Sequence, residues 1–187
     1  MSFERTIRAV VLTAAVIAVA LTACDEEEKP PSFEVTSPAF GDEETIPIRH
    51  TCDGEDISLP LQFDEVPDGA ASFAVIVDEP EAPDGRFTHW LLWGLPSANW
   101  YLDEDVPKTE SPGNGMSQGV NDAEVVGYSG PCPGEEDSDE HRYVIQVYAL
   151  DAAPVVAPGA VREALEDAMD GHVVGKGRLV GYYERED

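Results

Sequence analysis

The chain has 187 residues, with 38 Asp and Glu against 11 Lys and Arg, a formal net charge of −27. A field of that sign repels nucleic acid and anionic lipid surfaces, which removes both as partners of the bare protein surface. The acid is spread along the sequence, in DEEE, GDEE, LDED and GEEDSDE, and this fits a solvated, salt-screened surface better than one docking site for a basic partner.

The first eight residues carry Arg5 and Arg8 and lead into an apolar run from Ala9 to Ala23. A basic segment followed by a short apolar one is the pattern of a secretory signal, and the run falls short of the roughly 20 apolar residues that span a bilayer. It ends Leu21-Thr22-Ala23-Cys24, which resembles a bacterial lipobox, in which the cysteine takes a lipid through its sulfur. The expectation is a signal peptide over 1–23 and a lipid on Cys24. The mature protein is then held at the outer face of the cytoplasmic membrane, and the membrane is a partner through that lipid alone. Residues 24–32, with the stretch DEEEKPPS, read as an acidic, Pro-ended tether. Residues 33–187 suit one domain with its own core.

Two cysteines remain, Cys52 and Cys132. In an oxidising compartment an even number favours a disulfide, with two buried free thiols as the other reading. A bridge would close a loop of roughly 80 residues and contribute about 4 kcal/mol in the chain-entropy model.

Most of the domain reads as strands and turns. Ser72–Asp78, His89–Leu95 and Tyr143–Leu150 are runs rich in Val, Ile, Leu and aromatics, and the closing GRLVGYYERE reads as a last strand. A helical period is confined to Gly159–His172, where Val161, Leu165, Ala168 and Met169 mark one face and Gly171 is a stop. Strands in series with one late helix argue a mainly β, sandwich-type body over alternating βαβ units.

Three loops carry polar groups at strand ends. DEPEAPDG, Asp78 to Gly85, holds carboxylates among prolines that stiffen it. RFTHWLLWGLP places His89 inside an apolar run, where an imidazole is costly unless its nitrogens are paired or used. GYSGPCPGEEDSDEHRY, Gly127 to Tyr143, ends in His141-Arg142-Tyr143 as a strand begins.

The order of these pieces resembles the phosphatidylethanolamine-binding protein family, and within it the bacterial and archaeal Raf kinase inhibitor-like branch, YbhB/YbcL. Glu79-Pro80-Glu81-Ala82-Pro83 resembles the family's DPDAP, and His89-Trp90 through Leu95-Pro96 its HW-apolar-IP segment. Gly119-Val120-Asn121-Asp122, then Gly127 to Pro133, then His141-Arg142-Tyr143, resemble its GxND, GYxGPCPP and HRY blocks. IPIRHTCDGEDISLPL, Ile46 to Leu61, resembles its IPxxYTCDGxDxSPPL. This sequence departs from the pattern at Glu79 and Glu81, where the family has aspartates, and at Leu59 and Gly134, where it has prolines.

The resemblance implies a β-sandwich body with a small pocket at one end that binds phosphate or a phospholipid head group. Carried over by position, the pocket uses Glu79, Glu81, Pro83, His89, Gly130, His141 and Tyr143. Imidazole N–H groups, a tyrosine hydroxyl and a backbone N–H made accessible by glycine suit a small anion. The carboxylates then fix a histidine tautomer, raise its pKa or accept a proton from a phosphate OH. The expected partner is a small anionic or phosphorylated ligand, with regulation of a partner protein as a further role. Serine protease inhibition is the second reading and hydrolysis by the pocket His and Glu residues the third. No cofactor or metal is expected: His89, His141 and Glu lack a diagnostic metal spacing, GYSGP is not a nucleophile elbow, and no H-E-x-x-H or C-x-x-C occurs. His50 and His172 read as surface or packing, Trp90, Trp93 and Trp100 as core or rim, and Arg142 as the partner of a carboxylate.

Overall fold

The computed structural model describes residues 29–134 and 139–185. The expected signal segment, the lipidation site Cys24 and the acidic start of the tether lie outside the described residues, as do 135–138 in the third loop. In chain order the elements are β1 Glu34–Thr36, β2 Glu44–Thr45, a 3-10 turn Ile48–His50, β3 Leu61–Asp64, β4 Ser72–Glu79, β5 Phe87–Pro96, β6 Tyr101–Leu102, β7 Ser117–Gln118, β8 His141–Leu150, α1 Arg162–Met169 and β9 Val173–Tyr183. One sheet has six strands in the order β2-β9-β8-β4-β5-β7, and a smaller one has the order β1-β3-β6. The strands pair antiparallel except β2 with β9.

β4 is buried at every position because both its faces are covered. Val75 and Val77 share a cluster with Val35, Leu61, Phe63 and Leu102 of the small sheet. Ala74 and Ile76 pack on the other face with Leu91, Trp93, Leu165 and Met169. The Phe63 and Phe73 rings tie the two sheets together, 4.7 Å apart and tilted. Helix α1 spans only the middle of its expected range. Gly159 has φ +79°, outside the helical region, and Val161 caps the first turn in an extended conformation. Leu165 and Met169, one turn apart, make the buried face.

The domain begins at the end of the tether. Lys176 N–H donates to Pro31 O at 3.0 Å and Phe33 N–H to Lys176 O at 3.2 Å, so the backbone is bound to β9 from Pro31 onward. Cys52 and Cys132 form a disulfide, with Cα atoms 5.4 Å apart. Trp90 and Trp93 are core residues, whereas Trp100 is exposed.

Candidate functional site

The pairing of β8, β4 and β5 as neighbours decides which side chains meet at one end of the sheet. With a side-chain period of two, the inward set Val75 and Val77 continues to Glu79 at the end of β4. The inward set Val147, Ile145 and Tyr143 leads back to His141 at the start of β8. Strand β5 alone breaks its period. Val77 faces Trp90 but Asp78 faces Thr88, so the register skips His89. A bulge of this kind re-aims a side chain. Trp90 stays in the core, Thr88 turns to the helix side, and His89 joins Glu79 and His141. That is how an imidazole sits in an apolar run.

Glu79, from the central strand, lies between the two histidines. Its Oε1 is 2.5 Å from His141 Nδ1, and its Oε2 is 3.6 Å from His89 Nε2. His89 Nδ1 is 2.8 Å from Ser129 O and therefore carries the proton of that hydrogen bond. His89 is 4 % exposed, and its Nε2 has no hydrogen-bond partner. Burial pushes the Glu79 carboxyl up, but the His141 hydrogen bond and the nearby His89 and His141 rings outweigh it, and the net shift is down.

A folded-state value below the unfolded one means that Glu79 adds stability above roughly pH 4.3 and gives it up as pH falls through the lower folded value. The unfolding free energy of the parent chain should therefore exceed that of Glu79→Gln at neutral pH, with the gap closing below about pH 4. Urea titrations of both chains at a series of pH values measure this. A gap that widens on acidification would show the sign to be wrong.

The three side chains face a cavity of about 550 Å³, also lined by Pro83, Asp84, Arg86, Phe87, Asp122, Ser129, Gly130 and Cys132. A groove of about 610 Å³ beside α1 is lined by Lys29, Glu166, Asp170 and Lys176, whose charges are all exposed, and carries no comparable buried cluster. Among the described residues no group of three or more His, Cys, Asp or Glu is placed to hold a metal ion.

Five of the seven expected pocket residues line the cavity: Glu79, Pro83, His89, Gly130 and His141. Glu81 does not. β4 ends at Glu79, the chain turns, and Glu81, itself exposed, pairs with half-buried Arg142 at 3.0 Å. The two glutamates thus share no cleft, which removes the geometry of a paired-carboxylate hydrolase. Tyr143 lies fully buried, and its ring meets His89 edge-on at 5.2 Å; it backs the imidazole and is not part of the cavity lining. Gly130 serves differently from the expectation of a donor to an anion. Its N–H donates to Asp56 Oδ1 at 2.7 Å, and a Cβ here would lie 2.2 Å from His50 O, so the glycine lets the wall pack on the neighbouring loop.

Three supporting residues escaped the sequence reading although their motifs are plain in it. Asn121 Nδ2 donates to His89 O, Gly127 O and Ser129 Oγ, each at 3.0 Å, and joins the bulge to the third loop. Asp122 Oδ2 accepts from Thr88 N–H at 2.6 Å. Asp56 holds Gly130 and pairs with Lys108. His50 is buried with Nδ1 3.1 Å from Ile57 O, and exposed His172 pairs with Asp151, so both stand apart from the site.

A two-sheet β body with a cavity where three central strands end has the frame of a binding protein. The family model for phosphatidylethanolamine-binding protein matches residues 36–184, and the chain belongs to that family. A UPF0098 protein of Methanothermobacter thermautotrophicus is 46 % identical over 147 residues, covering 79 % of this chain and 95 % of the relative. One from Aquifex aeolicus is 42 % identical over 155 residues, covering 82 % and 90 %. The crystal structure of a Chlamydia trachomatis protein described as a homologue of this family covers 83 % of this chain and 99 % of its own, with 35 % identity and TM-score 0.74. That of E. coli YbcL, described as a member of the mammalian PEBP family, has 27 % identity and TM-score 0.75 over 83 % and 99 %.

Proposed function

We propose that the chain is an exported, lipid-anchored binding module whose cavity takes a small anionic or phosphorylated group, either free phosphate or the phosphate of a head group. The observation that carries this reading is His89. A buried polar atom without a partner costs about 1–3 kcal/mol, and a ligand oxygen placed in the cavity removes that cost. Neutral, the ring offers Nε2 as an acceptor; as an imidazolium it donates there. Arg86 is among the residues that line the cavity and forms no ion pair among the described residues. Export and anchoring rest on the residue pattern up to Cys24. From Cys24 to Pro31, where the chain meets β9, the tether reaches at most about 25 Å, which keeps the domain close to the bilayer.

The test is an NMR titration of the full-length chain, labelled at histidine nitrogens, with phosphate and phosphoethanolamine at matched ionic strength. Saturable shifts of His89 and His141 that vanish in His89→Ala are the expected result. Absence of any saturable shift overturns the reading.

A further inference from the structure

Both cysteines of the Cys52–Cys132 bridge are exposed, and bridges open to solvent are the ones that exchange with external thiols. A guanidinium sits against the two sulfurs. Arg185 Nη2 is 3.1 Å from Cys52 Sγ and 3.7 Å from Cys132 Sγ. The group is fixed on its other sides. Nε and Nη2 donate to Asp53 at 2.9 and 2.6 Å, and Nη1 donates to Pro133 O at 2.9 Å. The Tyr183 hydroxyl donates to the same carboxylate at 2.8 Å. Hydrogen bonds from Arg185 and Tyr183 hold the Asp53 carboxyl below its usual pKa, so the pair stays charged. A bonded sulfur is a weak acceptor, so this placement does little for the closed bridge. It matters once the bond opens, because an arginine beside a cysteine favours the thiolate. Cys52 is the nearer sulfur and is therefore the better leaving group. The groove beside Arg185 is lined by Asp53, Glu140 and Glu184, and the whole chain carries −27. That field repels an anionic thiol and draws in a cationic one.

We propose that the Cys52–Cys132 bridge is a thiol–disulfide exchange site for neutral or cationic thiols, attacked at Cys132, with Cys52 leaving as a thiolate held by Arg185. The incoming thiolate bonds to Cys132 Sγ while the Cys132–Cys52 bond breaks and its electron pair leaves on Cys52 Sγ. A monothiol stops there, as an adduct on Cys132. With a dithiol, the second thiolate attacks the reagent sulfur of that adduct and expels Cys132. The dithiol ends as a disulfide, and its two electrons and two protons pass to the two cysteines. Without Arg185 the departing Cys52 thiolate would face the Asp53 carboxylate alone. This site stands apart from the anion cavity, and neither reading needs the other.

The test exposes the full-length chain, any free Cys24 thiol alkylated beforehand, to cysteamine, 2-mercaptoethanol and glutathione without denaturant. Samples are quenched with N-ethylmaleimide and mapped by peptide mass, and rates are compared per thiolate. Opening should be proportional to thiol concentration, with the adduct on Cys132 and the maleimide on Cys52 predominating over the reverse. Cysteamine should react fastest and glutathione slowest, and the spread should shrink in about 1 M salt. Arg185→Gln should slow opening about tenfold, whereas Arg185→Lys, which keeps the charge, should retain most of the rate. Melting curves establish that both variants fold, and the partition of the adduct in the unsubstituted chain decides the matter if they do not. A bridge that opens only in urea, or at a rate independent of thiol concentration, overturns the exchange site. An adduct shared equally, or carried mainly by Cys52, overturns the assignment of the leaving group, as does an unchanged rate in folded Arg185→Gln. Glutathione reacting as fast as cysteamine at low salt overturns the charge preference.

Discussion

Replacing the bridge with Cys52→Ala and Cys132→Ala together should lower the unfolding free energy by about 4 kcal/mol and the melting temperature by about 10 °C. The bridge closes a sequence separation of 80, and most of its contribution comes from restricting the unfolded chain. The urea m-value should therefore rise in the double variant, since the freed chain exposes more surface when it unfolds. The bridge also acts on the site, because Cys132 lies in the cavity wall. Other ties hold that wall: Cys52 N–H donates to Pro131 O at 3.1 Å, Arg185 Nη1 to Pro133 O at 2.9 Å, and Gly130 N–H to Asp56. Histidine shifts on phosphate addition should thus persist in the folded double variant. Equilibrium urea unfolding checks the first claim, and a loss below about 1 kcal/mol with unchanged m would sink the account.

The long strands were legible because each is a run of apolar residues buried on one or both faces, and burial on both faces erases alternation without erasing hydrophobicity. The short strands β1, β2, β3, β6 and β7 were not, because two to four residues cannot display a period. The site was legible as three loops with named residues, but their directions were not. The family pattern carried over by position puts Glu79 and Glu81 in one pocket, yet the strand ends between them and sends Glu81 to Arg142. The bulge that turns His89 inward has no local mark in FTHWL; it exists only against β4. Gly130 was read for its exposed N–H, whereas the structure needs its missing side chain, a matter of what lies opposite in a loop some 80 residues away.

Arg162→Met should cost about 3–5 kcal/mol, the penalty for leaving a buried charge without its partner. Arg162 donates from α1 to Asp78 Oδ1 and, at 3.0 Å, to Thr88 Oγ1. Its own side chain is mostly buried, Asp78 is 9 % exposed and Thr88 is 1 % exposed. Asp78 and Thr88 face each other where the register shifts, and each immediately precedes a cavity residue, Glu79 and His89. One helix side chain thus clamps β4 and β5 from the face opposite the cavity, at the point where the bulge sets the direction of His89. Burial works against the guanidinium's charge, but the Asp78 carboxylate and Glu166 more than offset it and hold its pKa up, so it stays a cation throughout the usable pH range. Replacing both partners, Asp78→Leu with Arg162→Met, removes the charge along with its mate and should recover most of the stability. It removes the clamp as well. The double variant should therefore fold nearly as well as the parent yet bind phosphate more weakly, with histidine shifts that no longer report a single pocket geometry. Recovery of both stability and binding would mean that the pair only fills space between α1 and the sheet, and that the β4–β5 register alone keeps His89 facing Glu79.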